Sequence, residues 1–187
     1  MPNSIMVRDA QLRFAYMCNT FDSTKLITYA VDTGIVPNMT SAQAAFNGLL
    51  QWFACHDNED AESSRQAMLS GPVHMMHQAF VQNTELYSQF CQTYIGAFVQ
   101  LLNSNTAEQV DFARQTGYLE ETINRLVEVF EYDLSSVLLP WQHQQYDHTV
   151  PIAAVSVMGH EVHKYQKITD LEHGTKDARL TKPRRSR

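Results

Sequence analysis

Gly71-Pro72-Val73-His74-Met75-Met76-His77-Gln78-Ala79-Phe80-Val81-Gln82-Asn83-Thr84, followed by Tyr87, Phe90-Cys91 and Tyr94-Ile95-Gly96, is the stretch whose reading decides the fold. Pro72 sits where a helix favours proline, in its first turn. From Val73 the apolar positions Met76, Phe80, Tyr87, Cys91, Tyr94, Phe98 and Leu102 follow at steps of three, four and seven. That spacing predicts one long buried helix at the centre of the fold, interrupted near Gly96.

The same periodicity extends outward. Arg8–Phe21 reads as a first helix. Asp22-Ser23-Thr24 offers N-cap chemistry for a second, Thr24 to about Thr33, which Gly34 would stop. Thr40-Ser41 would cap a third, Ala42–His56, where Ala45, Phe46, Leu49, Leu50 and Phe53 recur at helical spacing. Ala61–Leu69 reads as a short helix. Asn103–Thr106 is a linker and cap, and Ala107–Tyr132 a last strong helix with a possible kink at Gly117. No Asn-Gly or Asp-Gly hairpin signal occurs before residue 142. The expectation is an all-α fold: a single compact helical domain of five or six helices over residues 1–141, with a partly ordered C-terminal extension, 142–187.

Composition agrees with an ordinary globular domain, 44% hydrophobic and 18% charged. No run of apolar residues is long enough for a membrane span, and the N-terminus has no secretory signal pattern. Cys18, Cys55 and Cys91 are odd in number and lie in apolar helical contexts. They read as buried free thiols in a reducing cytoplasm. Residues 1–141 carry 6 Lys/Arg against 15 Asp/Glu, and residues 142–187 carry 8 against 5. An acidic body thus carries a basic end. Lys182, Arg184, Arg185 and Arg187 are candidates for binding nucleic acid or another anionic partner, or form a solubilising end with no partner. Between them and the body lies one apolar run, Val150–Met158, which would dock on the domain or pair with a partner.

His74 and His77 share a helix face at i, i+3. Two readings fit them. Such a pair can hold a divalent metal if a third ligand arrives, with His56 or a nearby carboxylate (Asp57, Glu59, Asp60) the nearest source. A histidine between Val73 and Phe80 on the apolar stripe can also be a packed residue whose ring bonds to a neighbour. His160 and His163 repeat the spacing in the extension. No dinucleotide fingerprint, P-loop or nucleophile elbow is present. No other cofactor is implied. Glu120, Glu121, Glu128 and Glu131 read as a solvated helix face, and Met75-Met76 as core filling.

Residues 71–100 resemble the domain of the glycine-rich domain-containing protein family, a largely uncharacterised plant and bacterial group. His77 falls on the family histidine, and Phe80-Val81-Gln82-Asn83-Thr84 on its apolar-to-Thr run. Tyr87, Phe90-Cys91 and Tyr94-Ile95-Gly96 fall on the rest. Thr116–Phe130 and Pro140-Trp141 are similar to its closing helix and Trp-Pro end. The chain departs at His74, where the family has an acid, and at Met76, where it has tryptophan. Gln100-Leu101 replaces its His-His pair, and no glycine-rich tail exists. The resemblance implies a helical scaffold and no defined reaction. If the family's polar cluster is a site, this chain has rebuilt or lost it. The function expected is therefore a non-enzymatic cytoplasmic accessory or protein-interaction domain, with the segment after Trp141 engaging a protein partner. The alternatives are a metal-binding protein or metal-dependent enzyme through His74/His77, and a nucleic-acid-associated protein through the basic tail.

Overall fold

A computed structural model describes residues 4–56, 66–69, 71–102, 117–143 and 152–157. The protein is mostly helical, as the periodicity predicts. Helices α1 (Ser4–Thr20), α2 (Thr24–Asp32), α3 (Met39–Ala54), α4 (Pro72–Gln82), α5 (Thr84–Phe90), α6 (Tyr118–Phe130) and α7 (Leu139–Gln142) make the body. A small antiparallel sheet joins them: β1 (Gln66–Met68), β2 (Phe98–Leu102) and β3 (Ile152–Val157), in the order β1-β3-β2. Among the described residues no helix is long and apolar enough to cross a membrane.

The central helix is α3. Every residue from Gly48 to Ala54 is buried, so its second half is enclosed on all sides. Asn38 caps it, its side chain accepting from the Ser41 N–H at 2.9 Å. At the other end two guanidiniums reach its last carbonyls: Arg13 bonds to the Ala54 and His56 oxygens, and Arg125 to Cys55 O at 3.2 Å. Cations there oppose the negative end of the helix dipole. Gln51 is buried but fully used, donating to Asp133 O at 2.7 Å and accepting from Ser135 N at 2.8 Å. That pair ties the chain after α6 to α3. Phe21 fills the space between α3, α4 and the turn after α5, with ring contacts to Phe46, Phe80, Phe90 and Tyr94.

The stretch 71–102 is not one helix. α4 stops at Asn83, whose backbone leaves the helical region and whose side chain accepts from the Leu86 N–H to start α5. A π-helical turn, Cys91–Ile95, follows and ends on Gly96 in the left-handed conformation (φ 79°) that glycine adopts without Cβ strain. The chain then runs extended as β2. The apolar spacing survives these breaks because each piece turns its apolar side to the same core. Gln66–Met68, expected in a short helix, is a strand, since its partner β3 lies far along the chain and leaves no local signal. The rest of that expected helix, 61–65, lies outside the described residues, as does 107–116 of the expected last helix. Gly117 is left-handed and precedes α6 rather than kinking it.

The apolar run after residue 150 docks on the domain. Its residues 152–157 form β3, the central strand. Residues 144–151 and 158–187, on which the expectation of partial order also rests, lie outside the described set. Of the three thiols expected to be buried, Cys55 and Cys91 are, while Cys18 on the outer side of α1 is exposed.

Candidate functional site

The two histidines of α4 have different surroundings. His74 is half-buried, and burial lowers its pKa from the usual 6.5. His77 points inward, 1% exposed, within ring contact of Trp52, Phe53 and Tyr87. α3 supplies the first two rings and α5 the third. Burial, aided by the neighbouring His74, pushes the His77 pKa down to about 3. The imidazole is therefore neutral at pH 7.

Its hydrogen bonds decide its role. His77 Nε2 lies 3.0 Å from Tyr87 Oη, and Tyr87 Oη lies 2.6 Å from Val99 O in β2. The carbonyl can only accept, so the Tyr87 hydroxyl donates to it. Nε2 must then carry the proton and donate to Tyr87. The result is a relay, His77 Nε2–H to Tyr87 O–H to Val99 C=O, with Nδ1 left as a bare acceptor that has no partner among the described residues. Cys91 lies one turn beyond Tyr87, and the polar groups of Val99 and Tyr87 near it would favour its thiolate. Burial outweighs them and pushes the thiol up to about 12. Burial likewise holds Tyr87 well above its ordinary value. All three groups are neutral, and at pH 7 the Cys91 thiol is not a nucleophile.

What these groups hold is the edge of a sheet. Among the described strands β2 lies at an edge, and Val99 turns its N–H and its C=O away from β3; Tyr87 meets the C=O. The opposite edge is treated alike. Ala67 of β1 accepts from Trp52 Nε1 at 2.9 Å and donates to Thr122 Oγ1 at 2.8 Å. Unpaired strand edges recruit foreign strands, and proteins cover them. Here three side chains from the helical body reach the edges, Trp52 and Thr122 at Ala67 and Tyr87 at Val99.

His56, expected as a third metal ligand, lies 1% exposed at the end of α3 with its ring 5.7 Å from that of Trp52. Arg13 and Arg125 place positive charge beside it. Among the described residues no three His, Cys, Asp or Glu side chains gather where a metal ion could bind. A metal on His74 and His77 would need its further ligands from residues outside that set, where Asp57, Glu59 and Asp60 lie. Lys182, Arg184, Arg185, Arg187, His160 and His163 also lie outside it. Glu120, Glu121, Glu128 and Glu131 are exposed, as a solvated face requires.

The sequence pointed at His77, Tyr87 and Cys91 separately. It gave no sign of Val99 or Ala67, because they act through backbone groups, nor of Thr122, which reads as one more helix residue. No family model, curated protein or solved structure matches the chain.

Proposed function

We propose that the protein is a non-enzymatic, helical protein-interaction domain. The observation that carries this reading is the closure of its polar core cluster. His77, Tyr87 and Cys91 are each no more than 1% exposed. The hydrogen bonds of His77 and Tyr87 end on the Val99 carbonyl of β2. A general acid, base or nucleophile must come within hydrogen-bond reach of its substrate, and these groups face the sheet instead.

Apolar surface lies elsewhere. On α1, Leu12 and Tyr16 are one turn apart and 58% and 54% exposed. Tyr94 packs its ring 5.4 Å from that of Tyr16, and its hydroxyl lies 3.0 Å from Thr20 Oγ1. Tyrosines with an apolar body and a polar tip suit the centre of a protein contact. The buried free thiols Cys55 and Cys91 support a reducing, cytoplasmic setting. The resemblance to the glycine-rich domain-containing protein family supports the same scaffold, since its shared positions His77 and Tyr87 form the hydrogen-bonded chain to the β2 edge.

The test is a comparison of the wild type with the double variant Leu12→Glu/Tyr16→Glu, each isolated from its own cells at natural abundance after cross-linking. Equal melting temperatures establish that the exposed substitutions leave the fold intact. The wild type is expected in a stoichiometric complex with another protein, and the variant free. Free protein in both cases contradicts the α1 face as the contact.

A further inference from the structure

β3 is the last strand among the described residues, yet it lies in the middle of the sheet. β1 and β2 each pair antiparallel with β3 and not with each other. The body holds β1 from behind through Trp52 and Thr122, and β2 from behind through Tyr87. Two strands are thus fixed one strand-width apart with their outer edges occupied at Ala67 and Val99. What the body builds is a slot for a single extended strand, and residues 152–157 fill it.

The attachments fix the pairing phase. Ala67 turns its polar groups to the body, so the residues of β1 that bond inward are Gln66 and Met68, opposite Ala154 and Ile152. Val99 also turns away, so Phe98, Gln100 and Leu102 bond inward, opposite Val157, Val155 and Ala153. Alternate residues of β3 therefore bond to alternate walls, the pattern an antiparallel central strand requires. The two locks, on opposite edges, agree on it independently.

We propose that this slot is an interaction surface for a second copy of the chain: residues 152–157 of one molecule enter the β1–β2 slot of another, giving a strand-exchanged dimer. Recognition rests on main-chain bonds and register, which do not depend on which molecule supplies the strand. A second copy brings the same Ile-Ala-Ala-Val-Ser-Val segment, so it fits the slot in the same register. A molecule that releases β3 exposes two facing strand edges, and these are satisfied by taking up another copy's strand. β3 follows α7 in the chain after residues 144–151, and it pairs with the body through β1 and β2. Exchange of an identical element is a low-cost route to dimers. A strand carried on the same chain competes at an effective concentration on the order of 1 mM. Exchange is therefore expected as the chain approaches that concentration.

The test uses full-length copies carrying Cys18→Ser, which removes the exposed thiol. One copy carries Ala67→Cys and the other Ala153→Cys. These positions face each other as a non-hydrogen-bonded pair, about 4.5 Å between Cα atoms, within disulfide reach. They are mixed at about 0.5 mM and at about 10 µM with oxidised glutathione. A covalent heterodimer is expected, at least tenfold more abundant in the concentrated mixture. A control chain with both substitutions should close within the monomer when dilute. Closure in the control without any heterodimer would show that the strand does not leave its own slot, and overturns the proposal. Failure of both overturns it too, because the slot is then not filled in this register. Native mass spectrometry of mixed unlabelled and nitrogen-15-labelled wild type needs no substitution. It should show a mixed-mass dimer that grows with concentration and is lost in Val155→Pro, which lacks the N–H facing Gln100. Monomer alone at every concentration contradicts exchange.

Discussion

Tyr87 is the residue on which the relay turns, since its hydroxyl takes one hydrogen bond and gives another inside a closed core. Tyr87→Phe leaves the His77 N–H and the Val99 carbonyl unpaired together. At roughly 1–3 kcal/mol for each stranded buried group, the loss should be about 2–6 kcal/mol in urea unfolding. His77 itself makes stability depend on pH. Its folded pKa of about 3 lies below the unfolded 6.5, so between these values the unfolded chain binds more protons. The stabilisation is fully present above pH 6.5 and is lost as pH falls towards 3. The slope should reach about 1.4 kcal/mol per pH unit, with half-buried His74 adding in the same direction. His77→Gln should be less stable at neutral pH and show a shallower slope through that window. The sequence made His77 and Tyr87 visible as polar groups on an apolar stripe. It did not join them, because ten residues of chain and a helix break separate them.

At the scale of the element, α3 and the two sheet edges carry the organisation. Gly48 lies where α3 is approached most closely. A Cβ there would stand 2.6 Å from Val137 Cγ2 and 3.0 Å from Val73 Cγ2. Alanine improves helix propensity by up to about 1 kcal/mol, but both neighbours are stiff β-branched side chains. Gly48→Ala should therefore destabilise by about 1–3 kcal/mol, read from the denaturation midpoint. Thr122→Val keeps the shape of α6 and removes the acceptor for the Ala67 N–H. The Ala67 amide, protected in the wild type although it sits on a sheet edge, should then exchange its hydrogen at least about tenfold faster, which is a loss of about 1.4 kcal/mol. Helices α2 and α3 were legible to within a few residues because their caps and apolar faces lie in one window. The three strands were not. None is joined to its partner by a hairpin, and β1 is only Gln66–Met68. The break of the 71–102 stretch was half legible: Gly96 marked one interruption, while Asn83-Thr84, the cap that ends α4 and begins α5, was absorbed into the apolar spacing around it.

Across the whole molecule the helical body and the sheet are one construction, since Trp52, Thr122 and Tyr87 each reach from the helices to a strand edge. The fold class was legible from periodicity. Its centre was not, because the longest apolar pattern, 71–102, is divided among several elements, whereas α3 is buried on every side. The histidine pair drew attention as a site, and only its surroundings separate the two rings. The central claim is that His77 is a structural donor that locks β2 through Tyr87. Nitrogen-15 NMR of the imidazole tests it most directly, by following tautomer and charge through a pH titration. The account predicts a neutral ring protonated on Nε2, unchanged from pH 7 down to near its depressed pKa of about 3. A ring that titrates near 6.5, or one protonated on Nδ1 with Nε2 free to bind a metal, would contradict it.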